Sequence, residues 1–267
     1  MAATIVRVER ADDPRLGPYR DVRDRELKAR EGAFVVEGEV VLRVLAARGR
    51  FRPRSVLLAE GRVAKLGDVL AALPPEVPAF VAPQAAVDAL VGFPMHRGVL
   101  ALAERGEPGD PRALAAAAGP GAAIGLVGVN NHDNVGAVFR NAAAFGARAV
   151  FLDPVSCDPL YRKAVRVSVG GALVVPFARV PGGAELVDLL EAEGYEVLAL
   201  SPGGAEALDA LGPLGPRRAI VLGAEGPGLP APLLARLRTV RVPMAEGFDS
   251  LNVAVACGIA LYALRGR

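Results

Sequence analysis

Residues 123–153 read AIGLVGVNNHDNVGAVFRNAAAFGARAVFLD. The run 123–129 is apolar without interruption and is closed by turn residues, the pattern of a strand buried on both faces. Residues 135–145 carry helical spacing and stop at Gly146, a residue suited to a helix C-cap. Residues 147–153 return to an apolar strand. Strand, helix, strand over about thirty residues predicts one unit of a parallel α/β sheet. Between the first strand and the helix lies NNHDNVGAVFRN (130–141), which crowds four amides, His132, Asp133 and Arg140 into one junction. Asp133 is expected to cap the helix and His132 to face solvent. Arg140 is expected to span roughly one helix face with Asn134, six residues before it.

Working outward, the alternation continues. Helices are expected at 160–170 and 184–194, strands at 174–180, 195–200, 218–223 and 239–244, and a closing helix at 250–265. Ahead of it, 33–39, 55–60, 79–83 and 98–104 read as short strands, with a helix at 40–48. The stretch 106–123, GEPGDPRALAAAAGPGAA, is rich in Gly, Pro and Ala and reads as a joint. The expected division is an N-terminal α/β domain over 1–105, a linker over 106–122 and a C-terminal domain over 123–267. The C-terminal sheet is expected to be mostly parallel, with helices on both faces.

Composition narrows the function classes. A chain of 267 residues that is 52% hydrophobic, without Trp, suits an aliphatic α/β protein and can bury a sizeable core. A net charge of +2 demands no polyanionic partner by itself. The positives are nearly all Arg, the better fork for phosphates. Arg7, Arg10, Arg15, Arg20, Arg23, Arg25, Lys28 and Arg30 crowd the N-terminus among acids, which leaves a solvated face and an RNA-facing patch both open. Cys157 and Cys257 stand apart without metal spacing and read as reduced thiols of a cytoplasmic protein. With only His96 and His132, no metal site is expected. No stretch is long and apolar enough to span a membrane, and the charged start does not read as a signal peptide.

Ligands of open parallel sheets sit beyond the carboxyl ends of the strands. Three polar junctions fall there. VLGAEGPGLP (221–230) clusters glycines, but Gly223, Gly226 and Gly228 give GxxGxG, where a dinucleotide loop needs GxGxxG. Pro227 removes an amide and Glu225 repels phosphate, so a neutral or cationic ligand suits this turn better. In VPMAEGFDSLNVAVACGIALY (242–262), Ser250 is expected to cap the last helix and Asn252 to lie inside its first turn. A buried amide there needs a partner, either local or in a ligand pocket. That helix is apolar almost all round and is expected to be buried on all sides, in part by a second subunit. Arg140 is left as either a salt-bridged structural residue or a cation aimed at a phosphate or a reacting hydroxyl.

NxxNVGAVFRNAAAFGA, VLGAEGPGL and VPMxxGFDSLNVAVACGIALY, in this order and spacing, resemble the three-motif pattern of the SpoU-type RNA 2'-O-ribose methyltransferases of the SPOUT superfamily. The resemblance covers 123–267 strongly, and DPLYRKAVRVSVGGALVVPF looks like the stretch such enzymes carry between the first two motifs. Residues 1–105 look like the family's N-terminal RNA-binding domain, similar to a small ribosomal protein, with AFVVEGEVVLRVL as the most recognisable part. Three positions depart from the pattern: His132-Asp133 replaces Pro-Gly or similar, and Asn141 stands where Thr is frequent.

The resemblance implies a deep trefoil knot that binds S-adenosylmethionine, homodimers formed through the C-terminal domain, and an RNA substrate, ribosomal ahead of transfer RNA. It implies Arg140, Asn134, Glu225, Ser250 and Asn252 as catalytic or near-catalytic residues. Gly223, Val242 and Leu251, with Leu222, Met244 and Gly247 as lesser candidates, are implied as the cofactor wall. Two other readings stand beside it: a nucleotide-cofactor oxidoreductase using the 223–228 turn, and a non-catalytic RNA-binding protein of the same fold.

Overall fold

The computed structural model describes residues 3–20, 32–92 and 94–265. Arg23, Arg25, Lys28 and Arg30 of the N-terminal basic cluster lie outside the described residues. The chain divides into two compact units, one formed by Met1–Glu107 with Leu160–Val174, the other by Pro108–Pro159 with Val175–Arg267.

The first unit begins with strand β1 (Thr4–Arg7), followed by β2 (Ala33–Glu37), helix α1 (Glu39–Arg48), β3 (Pro53–Ala59), α2 (Gly67–Ala72), β4 (Pro78–Ala82), α3 (Gln84–Val91) and β5 (Val99–Glu104). The strands order as β1-β4-β3-β5-β2, and β5 runs antiparallel to both its neighbours. The edge strand β2 is nonetheless buried at every position, because a segment from far along the chain lies against it, described below.

The second unit opens with α4 (Pro111–Ala117), β6 (Gly121–Leu126), α5 (His132–Phe145) and β7 (Ala149–Leu152). Helices α6 (Arg162–Val167) and α7 (Gly171–Val174) then return to the first unit. The second unit resumes with β8 (Phe177–Arg179), α8 (Gly183–Ala192), β9 (Glu196–Leu200), β10 (Glu206–Ala207), β11 (Arg217–Leu222), α9 (Ala231–Arg236), β12 (Arg238–Arg241) and α10 (Val253–Leu264). Its seven strands order as β10-β12-β9-β11-β6-β7-β8, and every pairing is parallel. Ile124, Leu126, Val150, Phe151, Ile220 and Val221 are buried completely, as a parallel sheet covered on both faces requires. No helix among the described residues is long and apolar enough to cross a membrane.

The segment expected as a linker holds α4. Asp110 caps it by accepting a hydrogen bond from the Arg112 N–H at 2.9 Å, with Pro111 at the first helical position. Ala115 of this helix is fully buried in the second unit's core, so small residues here serve close packing, not flexibility. Residues 160–174, placed with the C-terminal domain by sequence, group instead with the first unit. There Arg162 and Arg166 of α6 pair with the buried Glu37 of β2, Arg162 Nε lying 2.8 Å from Glu37 Oε2. The strand β1 is hidden in the sequence by its charged surroundings. It pairs with β4 in parallel register from Thr4–Pro78 to Arg7–Val81.

Candidate functional site

The carboxyl ends of β6, β11 and β12 in the second unit carry the three polar junctions, and each is built by a different local device. After β6, the chain is held by the loop that follows β7. Gly128 N–H donates to Asp153 Oδ2 at 3.0 Å, Val129 N–H to Ser156 Oγ at 3.1 Å, and Cys157 N–H to the Val129 carbonyl at 2.9 Å. The Cys157 thiol donates to the Asn130 carbonyl at 2.6 Å. Burial raises its pKa, reinforced by Asp158 and opposed by Arg179, which keeps the proton that this bond uses. Asn131, rather than Asp133, caps α5, its Oδ1 accepting from the Asp133 N–H at 2.8 Å. Asp133 falls in the first turn, where its charge meets the positive helix end. His132 is half-buried there. The helix ends as expected on Gly146, at φ 70°.

After β11, residues 223–228 fold back on themselves, with Gly228 N–H donating to the Ala224 carbonyl at 3.0 Å. A Cβ on Gly223 would stand 2.2 Å from the Gly228 carbonyl carbon. Gly223 is therefore required by backbone crossing backbone, not by a phosphate.

After β12, an exposed loop leads to α10, and its cap differs from expectation. Asn252 caps the helix, its Oδ1 accepting from the N–H groups of Ala254 and Val255 at 2.9 and 3.3 Å. Ser250 instead donates to Asp249 Oδ1, at 3.3 Å. The helix begins two residues later than Ser250 allows, and the side chain that reaches its free N–H groups is the amide.

That cap decides how the junctions join. With Asn252 Oδ1 committed to α10, its Nδ2 turns outward and donates to Asn134 Oδ1 at 2.9 Å and Glu225 Oε1 at 3.2 Å. One amide thus ties together residues from all three junctions. Asn134 is 5% exposed, and its own Nδ2 is a buried donor without a partner among the described residues. Such a donor costs roughly 1–3 kcal/mol while unmet.

Beside this tie lies a cavity of about 360 Å³, within the range of small-molecule pockets. Leu222, Gly223, Glu225, Val242, Met244, Ser250, Leu251 and Asn252 all line it, eight of the eleven residues expected at the site. Sequence reasoning missed Leu200, Ser201 and Pro202, which close it from the end of β9. The available signal was a buried strand ending in a Ser-Pro-Gly-Gly turn at the same sheet edge. Asn134 stands behind Asn252. Gly247 occupies an exposed turn at φ 82° and does not line the cavity.

Arg140 is set apart. It is exposed on α5, lines no part of the cavity, and makes no hydrogen bond or ion pair among the described residues. Six residues at 3.6 per turn place it about 120° around the helix from Asn134, so the two do not share a face. Its neighbour Asn141 faces α10 instead, donating to the Ala254 carbonyl at 2.6 Å beside Gly258. Among the described residues, no acid supplies the salt bridge that the structural reading of Arg140 requires.

Chemically, the cavity has apolar walls, a carboxylate at its rim and no Lys or Arg among its described lining residues. A pyrophosphate would find no cation here and would meet Glu225. A ligand with a flat ring to lie against the apolar walls and a cationic centre fits, and S-adenosylmethionine carries an adenine and a sulfonium.

Comparison with known proteins agrees with this geometry. The pattern of the SpoU rRNA Methylase family matches residues 121–262. An uncharacterized tRNA/rRNA methyltransferase of Mycobacterium tuberculosis is 39% identical over 262 residues, covering 94% of this chain and 88% of the relative. A 23S rRNA (guanosine-2'-O-)-methyltransferase of Coxiella burnetii is 35% identical over 178 residues, 62% of this chain and 68% of the relative. Among solved structures, the AdoMet-bound rRNA methyltransferase of Sinorhizobium meliloti superposes with a TM-score of 0.82 at 20% identity, covering 98% of this chain and 97% of the other.

Proposed function

The chain belongs to the SpoU rRNA Methylase family, and on that premise we propose that it transfers a methyl group from S-adenosylmethionine to a ribose 2'-hydroxyl of structured RNA. Ribosomal RNA is placed ahead of transfer RNA. The observation that carries this reading is the cavity itself: apolar walls and a carboxylate rim, tied by Asn252 to the junction that bears Arg140. The Coxiella relative, a 2'-O-methyltransferase by name, supports the ribose as target.

Leu222, Gly223, Val242, Met244 and Leu251 would hold the cofactor, and Glu225 would face its positive charge. Bound there, S-adenosylmethionine supplies an electrophilic methyl group. The chain must then orient a weakly acidic hydroxyl and help its proton leave. Arg140 is suited to the second task because no acid among the described residues pairs with it. A guanidinium does not act as a base. Held against the neighbouring RNA phosphate, it lowers the hydroxyl's pKa electrostatically, with the phosphate or water accepting the proton. Asn134, Ser250 and Asn252 fix the ribose and the loops around it.

A second copy of the chain completes the assembly in this reading. Val255, Ile259 and Tyr262 follow one another along α10 and are 52, 39 and 56% exposed. A helix apolar on all sides with one bare stripe calls for a covering surface.

The direct test incubates the protein with ribosomal RNA and methyl-labelled S-adenosylmethionine and maps the product. A 2'-O-methyl nucleotide is expected. A base-methylated product, or calorimetric binding of NAD but not S-adenosylmethionine, overturns the reading. Arg140→Ala is expected to lower the transfer rate about 10²–10³-fold with cofactor affinity unchanged. Substantial residual activity removes Arg140 from the mechanism.

A further inference from the structure

The turn that closes the cavity from the end of β9 is built from residues that cannot hold themselves in place. Ser201-Pro202-Gly203-Gly204 closes on itself, the Gly204 N–H donating to the Ser201 carbonyl at 3.0 Å. Pro202 presets the first bend, while the glycines bring no side chain that could anchor the rest. Pro202 and Gly203 are exposed, yet Gly204 is buried. A Cβ on Gly204 would stand 2.3 Å from the Val240 carbonyl carbon and 2.8 Å from the Arg241 nitrogen. The turn therefore rests directly on the last peptide of β12.

β12 forms the other side of the same corner. It pairs with β9 as far as Val240 opposite Leu200, and the Ser201 N–H extends that pairing by donating to the Val240 carbonyl at 2.9 Å. Beyond Arg241 the chain leaves the sheet. Val242 and Met244 then become cavity wall, at the root of a stretch that is exposed from Ala245 to Asn252.

Arg241 stands where these two walls meet. Its Nη1 donates to the Gly204 carbonyl at 2.7 Å and to the Ala205 carbonyl at 2.8 Å. Thr239, two residues earlier and so on the same face of the strand, accepts from the Ala205 N–H through Oγ1 at 3.0 Å. Both backbone groups of Ala205 and the carbonyl of Gly204 are thus taken up by side chains of β12. Bonds donated by a guanidinium are stronger than bonds between neutral groups. Arg241 itself is half-buried and does not line the cavity.

We propose that Arg241 positions the cofactor cavity: by gripping the Gly204 and Ala205 carbonyls it fixes Ser201 and Pro202 against Val242, so that S-adenosylmethionine meets a preformed pocket. The inference rests on the proposed use of that cofactor, and on neither the ribose target nor the RNA. Arg241 is a positioning residue, acting through the turn and through the root of the loop. Without its grip, binding must itself order these segments, and the ordering is subtracted from cofactor affinity.

The test is calorimetric titration of the full chain with S-adenosylmethionine, followed by steady-state methyl transfer to ribosomal RNA. Arg241→Met keeps an apolar stem and removes the donors, and is expected to weaken cofactor binding about tenfold. The KM for S-adenosylmethionine should rise by a similar factor, while kcat at saturating cofactor and the KM for RNA hold. A merely structural loss would not produce that split. Arg241→Lys should regain most of the affinity, because both bonds leave one nitrogen and an ammonium can donate to two carbonyls. Thr239→Val, equal in shape, loosens the same turn at the Ala205 N–H and decides the matter should Arg241→Met not fold. It is expected to weaken binding about threefold. Wild-type affinity in Arg241→Met or in Thr239→Val overturns the proposal, as does a Lys variant no better than Met, or a fall in kcat with affinity unchanged. Each of these leaves the proposed function standing. Wild-type protein that binds no S-adenosylmethionine brings down the proposed function and the role of Arg241 with it.

Discussion

Both units are open α/β sheets closed by a polar tie between distant stretches of chain, yet the ties are of opposite chemistry. In the first unit a buried carboxylate, Glu37, holds two arginines that lie 125 and 129 residues further on. In the second, the Asn252 amide reaches Asn134 across 118 residues and Glu225 across 27. A buried charge must be matched by a countercharge, so the first tie is strong against removal of one partner and leaves charge on the surface. An amide carries no charge, needs only a geometric partner, and can leave a donor open, as Asn134 does. The neutral tie suits a cavity in which Glu225, the one charged group among the described lining residues, must stay available.

Removing one partner from each tie is the sharpest way to break this contrast. Arg162→Ala leaves Glu37 half-matched and is expected to destabilise the first unit by about 3 kcal/mol, measured by denaturant unfolding, with S-adenosylmethionine affinity retained. A loss of cofactor binding would show that the ties are not independent. Asn252→Ala removes a helix cap and two bonds, and about 1–2 kcal/mol of stability should go with it, together with most methyl transfer. Ser250→Ala, which caps nothing, should leave stability within about 0.5 kcal/mol; a larger loss would contradict the assignment of the cap. Ile259→Lys, placed on the bare stripe of α10, is expected to lower the sedimentation mass from dimer to monomer, and a wild-type monomer would dismiss the second copy.

The smallest effect concerns pH. Burial pushes the Cys257 thiol from 9.0 up to about 12. Its folded pKa is raised, so its contribution is complete below pH 9 and is lost as pH rises from 9 towards 12. Cys257→Ala should flatten the fall of stability in that window alone. Equal slopes for variant and wild type would mean that other groups set the alkaline limit.

Local signals in the sequence are reliable where backbone chemistry is local. Gly146 ends α5 because an αL residue is needed there, and the apolar run before Asn130 becomes a strand because both its faces are covered. The same signals misplace the caps at Asp133 and Ser250, since Asn131 and Asn252 stand close by and bear the same kind of oxygen. Choosing between such neighbours depends on where the helix first closes its hydrogen bonds. The small residues of 106–122 read as slack, although Asp110-Pro111 already marks a helix start.

By itself, then, the sequence determined an alternating α/β chain with its ligand chemistry at three strand ends, and eight of the residues that line the cavity. The alternation and the three junctions follow from periods and turn preferences that span only a few residues; the eight residues follow from the resemblance to the SpoU-type motif pattern. Tertiary structure alone decided three further things: that 160–174 serves the first unit, that Asn252 is the hub of the site, and that Arg140 stands free of any partner among the described residues. Each depends on which side chains meet across a long span of chain. No periodicity encodes that; it is settled when buried donors and charges find the partners that burial demands.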